Sequence, residues 1–153
     1  MPKGHHILSR RQEETIDVTQ RLGRLLRDYR VGQPQWYAEL LVAAALDGET
    51  QPTNHPKFDV LAPVYGRVEV KNRVDGTDST QNRTNFGRYC DGDFDHAAII
   101  VFTPTYLVKC GIILPCTSVL PLVRPHGHVP WANAARHPDA QDITDQLRRV
   151  SGE

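Results

Sequence analysis

Apolar side chains recur at helical spacing near the start of the chain. Val18, Leu22, Leu25, Leu26 and Tyr29 share one face and predict a helix over residues 11–29. Ile16 falls off that face, and Gly23 weakens the helix slightly. Gly32 and Pro34 punctuate the chain. A second helix is predicted from Pro34 to about Leu46, with proline in the first turn, where its missing N–H is harmless. Trp36 and the run Leu40 to Ala45 make it apolar nearly all round, which predicts burial. Glu39 stands in its middle, and a carboxylate there is costly unless something positive pairs with it.

Residues 47–56 are turn-like, with room for a short edge strand. The period then changes to two. Strands are predicted over 58–63 and 67–73, joined by Val64, Tyr65 and Gly66 as a hairpin. In the second strand Val68 and Val70 face one side, and Glu69, Lys71 and Arg73 face the other. A polar loop follows over 74–79. A weak helix is expected across 79–90, where Asn82, Thr84, Asn85 and Gly87 are poor helix formers. Residues 95–102 read as a buried strand and 106–115 as a further one. A short helix near 117–122, a loop around His126 and His128, and a last helical stretch through Ile143, Leu147 and Val150 complete the reading. The order α-α-β-β-α-β-β-(α) predicts an α/β or α+β fold, with a mixed β-sheet flanked by helices.

Composition narrows the class. The 153 residues suit one domain, and 39% apolar with 24% charged side chains suits a folded, soluble chain. No apolar run reaches the ~18–20 residues that span a membrane, and no apolar signal core is visible at the N-terminus, so a cytoplasmic location is expected. Three cysteines, Cys90, Cys110 and Cys116, make no disulfide framework and no Cys-x-x-Cys pair, so free buried thiols in a reducing compartment are expected. Eighteen basic and eighteen acidic residues balance to zero net charge. This excludes a polybasic coat but not a local basic groove. Residues 1–30 carry seven basic groups against four acidic ones, with Arg21, Arg24 and Arg27 on one stripe. That stripe is either a solvated face or a surface for phosphates.

The spacing with the most chemical content is Asp59 followed by Glu69-Val70-Lys71. On a hairpin, Glu69 and Lys71 project from one face of one strand while Asp59 lies near the start of its partner. Two acids and a lysine then converge at a sheet end. Paired carboxylates suit a hard divalent cation such as Mg²⁺, which neutralises a phosphodiester and activates water. The lysine can orient that water or stabilise charge on the phosphate. Glu39 is a candidate fourth member, completing the metal shell or holding Lys71.

Four pieces carry a family resemblance: Trp36-Tyr37-Ala38-Glu39, Phe58-Asp59-Val60, Val68 to Arg73, and Phe94 to Phe102. Over roughly residues 34–115 the chain resembles the PD-(D/E)XK nuclease superfamily, and within it compact bacterial and phage members. Residue 58 is Phe where the motif has Pro. The resemblance implies a restriction-endonuclease-like mixed sheet flanked by helices. The whole chain would be one nuclease-like domain, with an N-terminal helical extension (1–31), a core (34–115) and a C-terminal extension (116–153). It implies that Asp59 and Glu69 ligate Mg²⁺ or Mn²⁺ with help from the Val70 backbone carbonyl, that Lys71 is the catalytic lysine, and that Glu39 supports the metal site. The implied activity is metal-dependent endonucleolytic hydrolysis of DNA, restriction-, homing- or resolvase-like. Gln81, Asn82, Arg83, Asn85, Arg88 and Tyr89 would face the substrate backbone, with Arg83 and Arg88 on phosphates. Asn72 and Arg73 could touch the scissile region. A homodimer is expected, because cutting both strands of a duplex calls for two sites.

Other residues read more simply. Asp91, Asp93 and Asp95 lack the spacing and final Glu of a calcium loop and read as a turn. His126 and His128 read as loop histidines, and His96 as a hydrogen-bonded histidine of the core. Cys90 with His96 lacks the third residue of a thiol-protease site. The competing function is a non-catalytic nucleic-acid-binding or interaction module that keeps the nuclease fold.

Overall fold

The computed structural model describes residues 9–29, 34–52, 57–75, 83–87 and 89–153. The chain divides into two compact units, Met1–Gln33 and Pro34–Glu153. The first contains helix α1 (Arg10–Tyr29), as the apolar periodicity predicts. Arg10 pairs with Glu14 at 3.2 Å and Arg21 with Asp17 at 3.7 Å, both one turn apart. Such exposed pairs add only about 0.3–0.5 kcal/mol each. Ile16, Val18, Leu22 and Leu25 are exposed.

The second unit holds α2 (Pro34–Ala45), β1 (Glu49–Thr50), β2 (Val60–Ala62), β3 (Gly66–Val74), β4 (Arg83–Asn85), β5 (His96–Phe102) and β6 (Val108–Pro115). There follow α3 (Cys116–Val119) with a 3-10 turn at Leu120–Leu122, β7 (His128–Pro130), α4 (Trp131–Ala135), β8 (Gln141–Asp142) and α5 (Thr144–Ser151). The architecture is mixed α/β. Six strands form one sheet in the order β1-β2-β3-β5-β6-β8. β3 and β5 run parallel, and the other neighbours are antiparallel. β4 and β7 form a separate two-stranded ribbon.

From Ala97 onward the central strand β5 is apolar, because both its faces are covered. Ala98, Ile100 and Phe102 join Val68, Val70 and Ile113 under α2 and α5, where Leu41, Val42, Ile143 and Leu147 pack. Ala97 and Ile99 join Ile112 and Leu114 on the other face, beneath Phe86, Phe94, Val119 and Val129. Burying each of the larger side chains, the Val, Leu, Ile and Phe, contributes about 1.5–3 kcal/mol. α5 lies close against β6 because Gly111 has no side chain: a Cβ there would collide with Leu147 Cδ1.

Several expectations change. The predicted helix over 79–90 is not formed by its described residues: 83–85 make β4, and Phe86 drops into the core. Thr84 suits a strand paired to β7, and one buried aromatic outweighs weak helix propensity. Residues 76–82 and 88 lie outside the described residues. α2 is not buried all round, since Leu40 and Ala44 are exposed. The first strand of the hairpin is shorter than expected, with Asp59 just ahead of β2. His128 and Pro130, where the sequence suggested loop, lie on β7, and α4 follows at Trp131–Ala135, a stretch to which the sequence pattern assigns no element. The three cysteines are free, but Cys116 alone is buried. Residues 116–153 are part of the core rather than an appendage, since they supply β8 and α5. No described helix is long and apolar enough to cross a membrane.

Candidate active site

The site is built where β3 outruns its neighbour. β2 ends its pairing at Val60↔Val68, while β3 continues to Val74. Beyond Val68 the edge of β3 on that side needs other partners, because unpaired backbone groups are costly when buried. Asp59 and Gln35 supply them. Asp59 N–H donates to Val68 O at 2.9 Å, and Asp59 Oδ2 accepts from Val70 N–H at 2.8 Å. Gln35 Nε2, on the first turn of α2, donates to Val70 O at 2.8 Å and to Glu39 Oε1 at 3.0 Å. Asn72 Nδ2 in turn donates to Gln35 Oε1 at 2.6 Å.

Glu69 and Lys71 project from one face of β3, as the two-residue period requires. Glu69 is only 3% exposed, and Lys71 Nζ lies 2.6 Å from its Oε1. Tyr89 O–H donates to the same oxygen at 2.5 Å. The ammonium also sits 5.1 Å from the ring centre of Tyr89 and 5.5 Å from that of Phe86. Tyr89 packs edge-on to Phe94, so its hydroxyl is fixed by the second core cluster.

Electrostatics set this place apart. Burial pushes the Glu69 carboxyl up to about 7; Lys71 opposes the shift, and Asp59 adds to it. Burial also raises Asp59, against the hydrogen bond from Val70, and Glu39 raises it further. Glu39 is raised by burial first, with Gln35 opposing. Burial and the neighbouring Glu69 lift the Tyr89 hydroxyl, which keeps it a donor. Three carboxylates thus face one ammonium in a partly dry setting, where a divalent cation would relieve the excess negative charge.

The sequence reading is met unevenly. Asp59, Glu69 and Lys71 come together, and Glu39 joins them through Gln35 and through its field on Asp59. Asn72 is turned to α2 through Gln35 rather than left for a substrate. Arg73 lays its guanidinium 5.8 Å from the ring centre of Trp131, and its Nε and Nη1 are buried with no hydrogen-bond partner among the described residues. Arg83 lies on β4, but its side chain is outside the described residues, as is Arg88 altogether. Tyr89, read from the sequence as part of a substrate-facing segment, instead buttresses Glu69. Gln35 was missed altogether. Its one signal is its place four residues before Glu39, on the same helix face.

The acidic turn ties the scaffold together. Lys57 pairs with Asp93 at 3.2 Å and Arg67 with Asp95 at 3.0 Å. Backbone N–H groups of Cys90 and Arg67 donate to the same carboxylates. The Cys90 N–H lowers Asp93, and Arg67 lowers Asp95. His96 Nδ1 lies 2.8 Å from Tyr65 O. Among the described residues, no three His, Cys, Asp or Glu side chains form a ready-made metal cage. What the site offers is a smaller donor set: the Asp59 and Glu69 carboxylates and the Val70 carbonyl on the open edge. Mg²⁺ accepts such a set, because it binds through one or two carboxylates and completes its shell with water and phosphate. No family model and no curated protein matches the chain.

Proposed function

We propose that the chain is a metal-dependent endonuclease of restriction-endonuclease-like architecture, hydrolysing DNA phosphodiester bonds. The observation that carries this reading is the meeting of Asp59, Glu69 and Lys71 where β3 runs past β2. Asp59 and Glu69, with the Val70 carbonyl, would hold Mg²⁺ or Mn²⁺. The bound cation would supply charge neutralisation at the phosphate and a more acidic water. Asp59 is oriented for this by Val70 N–H, and Glu69 by Tyr89. Lys71 is close enough to Glu69 to follow it into the site, where its ammonium can donate to a phosphate oxygen or to the attacking water. Glu39, tethered by Gln35, adds negative charge near Asp59 and favours cation uptake. Two copies of the chain acting together would cut both strands of a duplex.

The test is cleavage of supercoiled plasmid and of a branched DNA with Mg²⁺ or Mn²⁺. Lys71→Ala and Glu69→Gln are each expected to lower the rate at least about a hundredfold. Cleavage that survives both changes would place the chemistry elsewhere. One observation favours a second reading, a non-catalytic nucleic-acid-binding or interaction module: the donor set falls short of three converging side chains among the described residues. That reading expects no rise in melting temperature with either cation, whereas the nuclease reading expects a rise that Glu69→Gln abolishes.

A further inference from the structure

Away from the carboxylates, Arg124, Pro125, His126, His128 and Pro130 line a cavity of about 300 Å³. A tight turn builds it. Gly127 N–H donates to Arg124 O and Arg124 N–H to His128 O, both at 2.8 Å, while Gly127 adopts a φ of 83°. The turn is anchored from below: Phe86 N–H donates to Gly127 O at 2.6 Å, and both Phe86 and Val129 are buried. The cavity is therefore held open by the fold rather than by a ligand.

Its chemistry is one-sided. Among the described residues, one arginine, two histidines and two prolines line it, with a mostly apolar surface, and none of them is acidic. Arg124 and His126 are exposed. His128 Nδ1 is buried and has no hydrogen-bond partner among the described residues, and a buried polar atom calls for one. The chain that leaves the cavity at Pro130 next reaches β3. Pro130 leads directly into Trp131, whose ring meets the Arg73 guanidinium. Arg73 stands two residues past Lys71 on the same face of β3, about 6.6 Å along the strand.

We propose that this cavity is a nucleotide subsite: Arg124 and His126 take a phosphate at its rim, and the planar base packs between Pro125 and Pro130 with its edge toward His128. An inorganic anion would leave the proline walls unused, and an apolar ligand would leave Arg124 and His126 unused. A volume near 300 Å³ lies at the lower end for small-ligand sites, which suits a single nucleotide. That the nucleotide belongs to a DNA strand, rather than being free, rests on the nuclease reading; the cavity's own chemistry does not.

The experiment uses the full chain with EDTA present. Trp36→Phe leaves Trp131 as the fluorescent reporter, and the His126 and His128 ring signals in NMR give a second readout in the native chain. The probes are adenosine 5′-monophosphate, adenosine, inorganic phosphate and a four-nucleotide DNA. The expected result is a saturable response to the monophosphate that weakens roughly ten- to hundredfold in Arg124→Ala, the worth of a charge-assisted hydrogen bond. Adenosine and inorganic phosphate should bind more weakly than the monophosphate. No saturable response, equal affinity for adenosine, equal affinity for inorganic phosphate, or unchanged affinity in Arg124→Ala would each overturn the proposal. Tighter binding of the oligonucleotide than of the mononucleotide supports the strand source, and the reverse order overturns it. Nucleotide binding in a chain that cleaves nothing with Mg²⁺ or Mn²⁺ sinks the nuclease reading and leaves the subsite standing. Cleavage without any nucleotide response does the opposite.

Discussion

On the proposed reading, a proton and a cation would compete for the same oxygens at Glu69. Its carboxyl keeps a proton up to about pH 7 in the folded chain, against an ordinary value of 4.5. Between those values the folded state binds more protons than the unfolded one, so folding stability falls as pH rises through that window. Asp59 and Glu39 are shifted the same way and add to the decline. The full loss from Glu69 is on the order of 3 kcal/mol. The metal-free protein is therefore expected to melt at a lower temperature at pH 8 than at pH 5.5, with Glu69→Gln flattening the difference. Thermal melts that rise steadily over this range would contradict the assignment. Mg²⁺ should act in the opposite sense, raising the melting temperature more at pH 8, because its ligands must first lose their protons. Tyr89→Phe removes the donor to Glu69 without emptying the aromatic cluster. A loss of about 1–2 kcal/mol in stability, read by chemical denaturation, is expected.

Two contacts between elements decide whether the site is assembled. Gln35 clasps α2 to the open edge of β3, touching Val70, Asn72 and Glu39 at once. Gln35→Ala should cost about 1–3 kcal/mol, because it leaves the Val70 carbonyl and the Asn72 amide without their protein partner. If the proposed cation site is right, cation affinity, measured by calorimetry, should change with it, since the same carbonyl would belong to the donor set. A variant with wild-type stability and affinity would show that the clasp is incidental. Gly111 has a different task, allowing α5 to close on β6. Gly111→Ala should destabilise by about 1–3 kcal/mol, and Leu147→Val in the same chain should recover part of the loss by vacating the space.

For the whole molecule, the sheet and both core clusters lie within residues 34–153. A chain starting at Pro34 is expected to unfold in one cooperative transition, followed by circular dichroism. A broad or absent transition would show that α1 is needed for the fold. The site lies wholly within the same unit, so this shorter chain should retain the cation-induced rise in melting temperature. Its DNA affinity should fall and lose some salt dependence if Arg21, Arg24 and Arg27 contact phosphates, which a binding titration at two salt concentrations would show.

Period and polarity along the chain were enough for α1, α2, the β2–β3 hairpin, β5, β6 and α5. Each carries its own repeat of 3.6 or 2, a local property. The same local reading placed Glu69 and Lys71 on one strand face, and put Asp59 beside them, although Asp59 stands just ahead of β2 rather than on it. It failed at 83–90, where Phe86 is placed by the core and β4 by β7, both distant in sequence. It failed at Gln35 and Tyr89 for the same reason. Gln35 bonds a carbonyl 35 residues away, and Tyr89 a carboxylate 20 residues away, and nothing in either neighbourhood announces those partners. Which acids a chain carries, and how they alternate, is written in its sequence. Their burial, their shifted proton affinities and the edge that gathers them arise only when β3 extends beyond β2 and α2 closes over the gap, because desolvation and charge coupling depend on distances that only the folded chain sets.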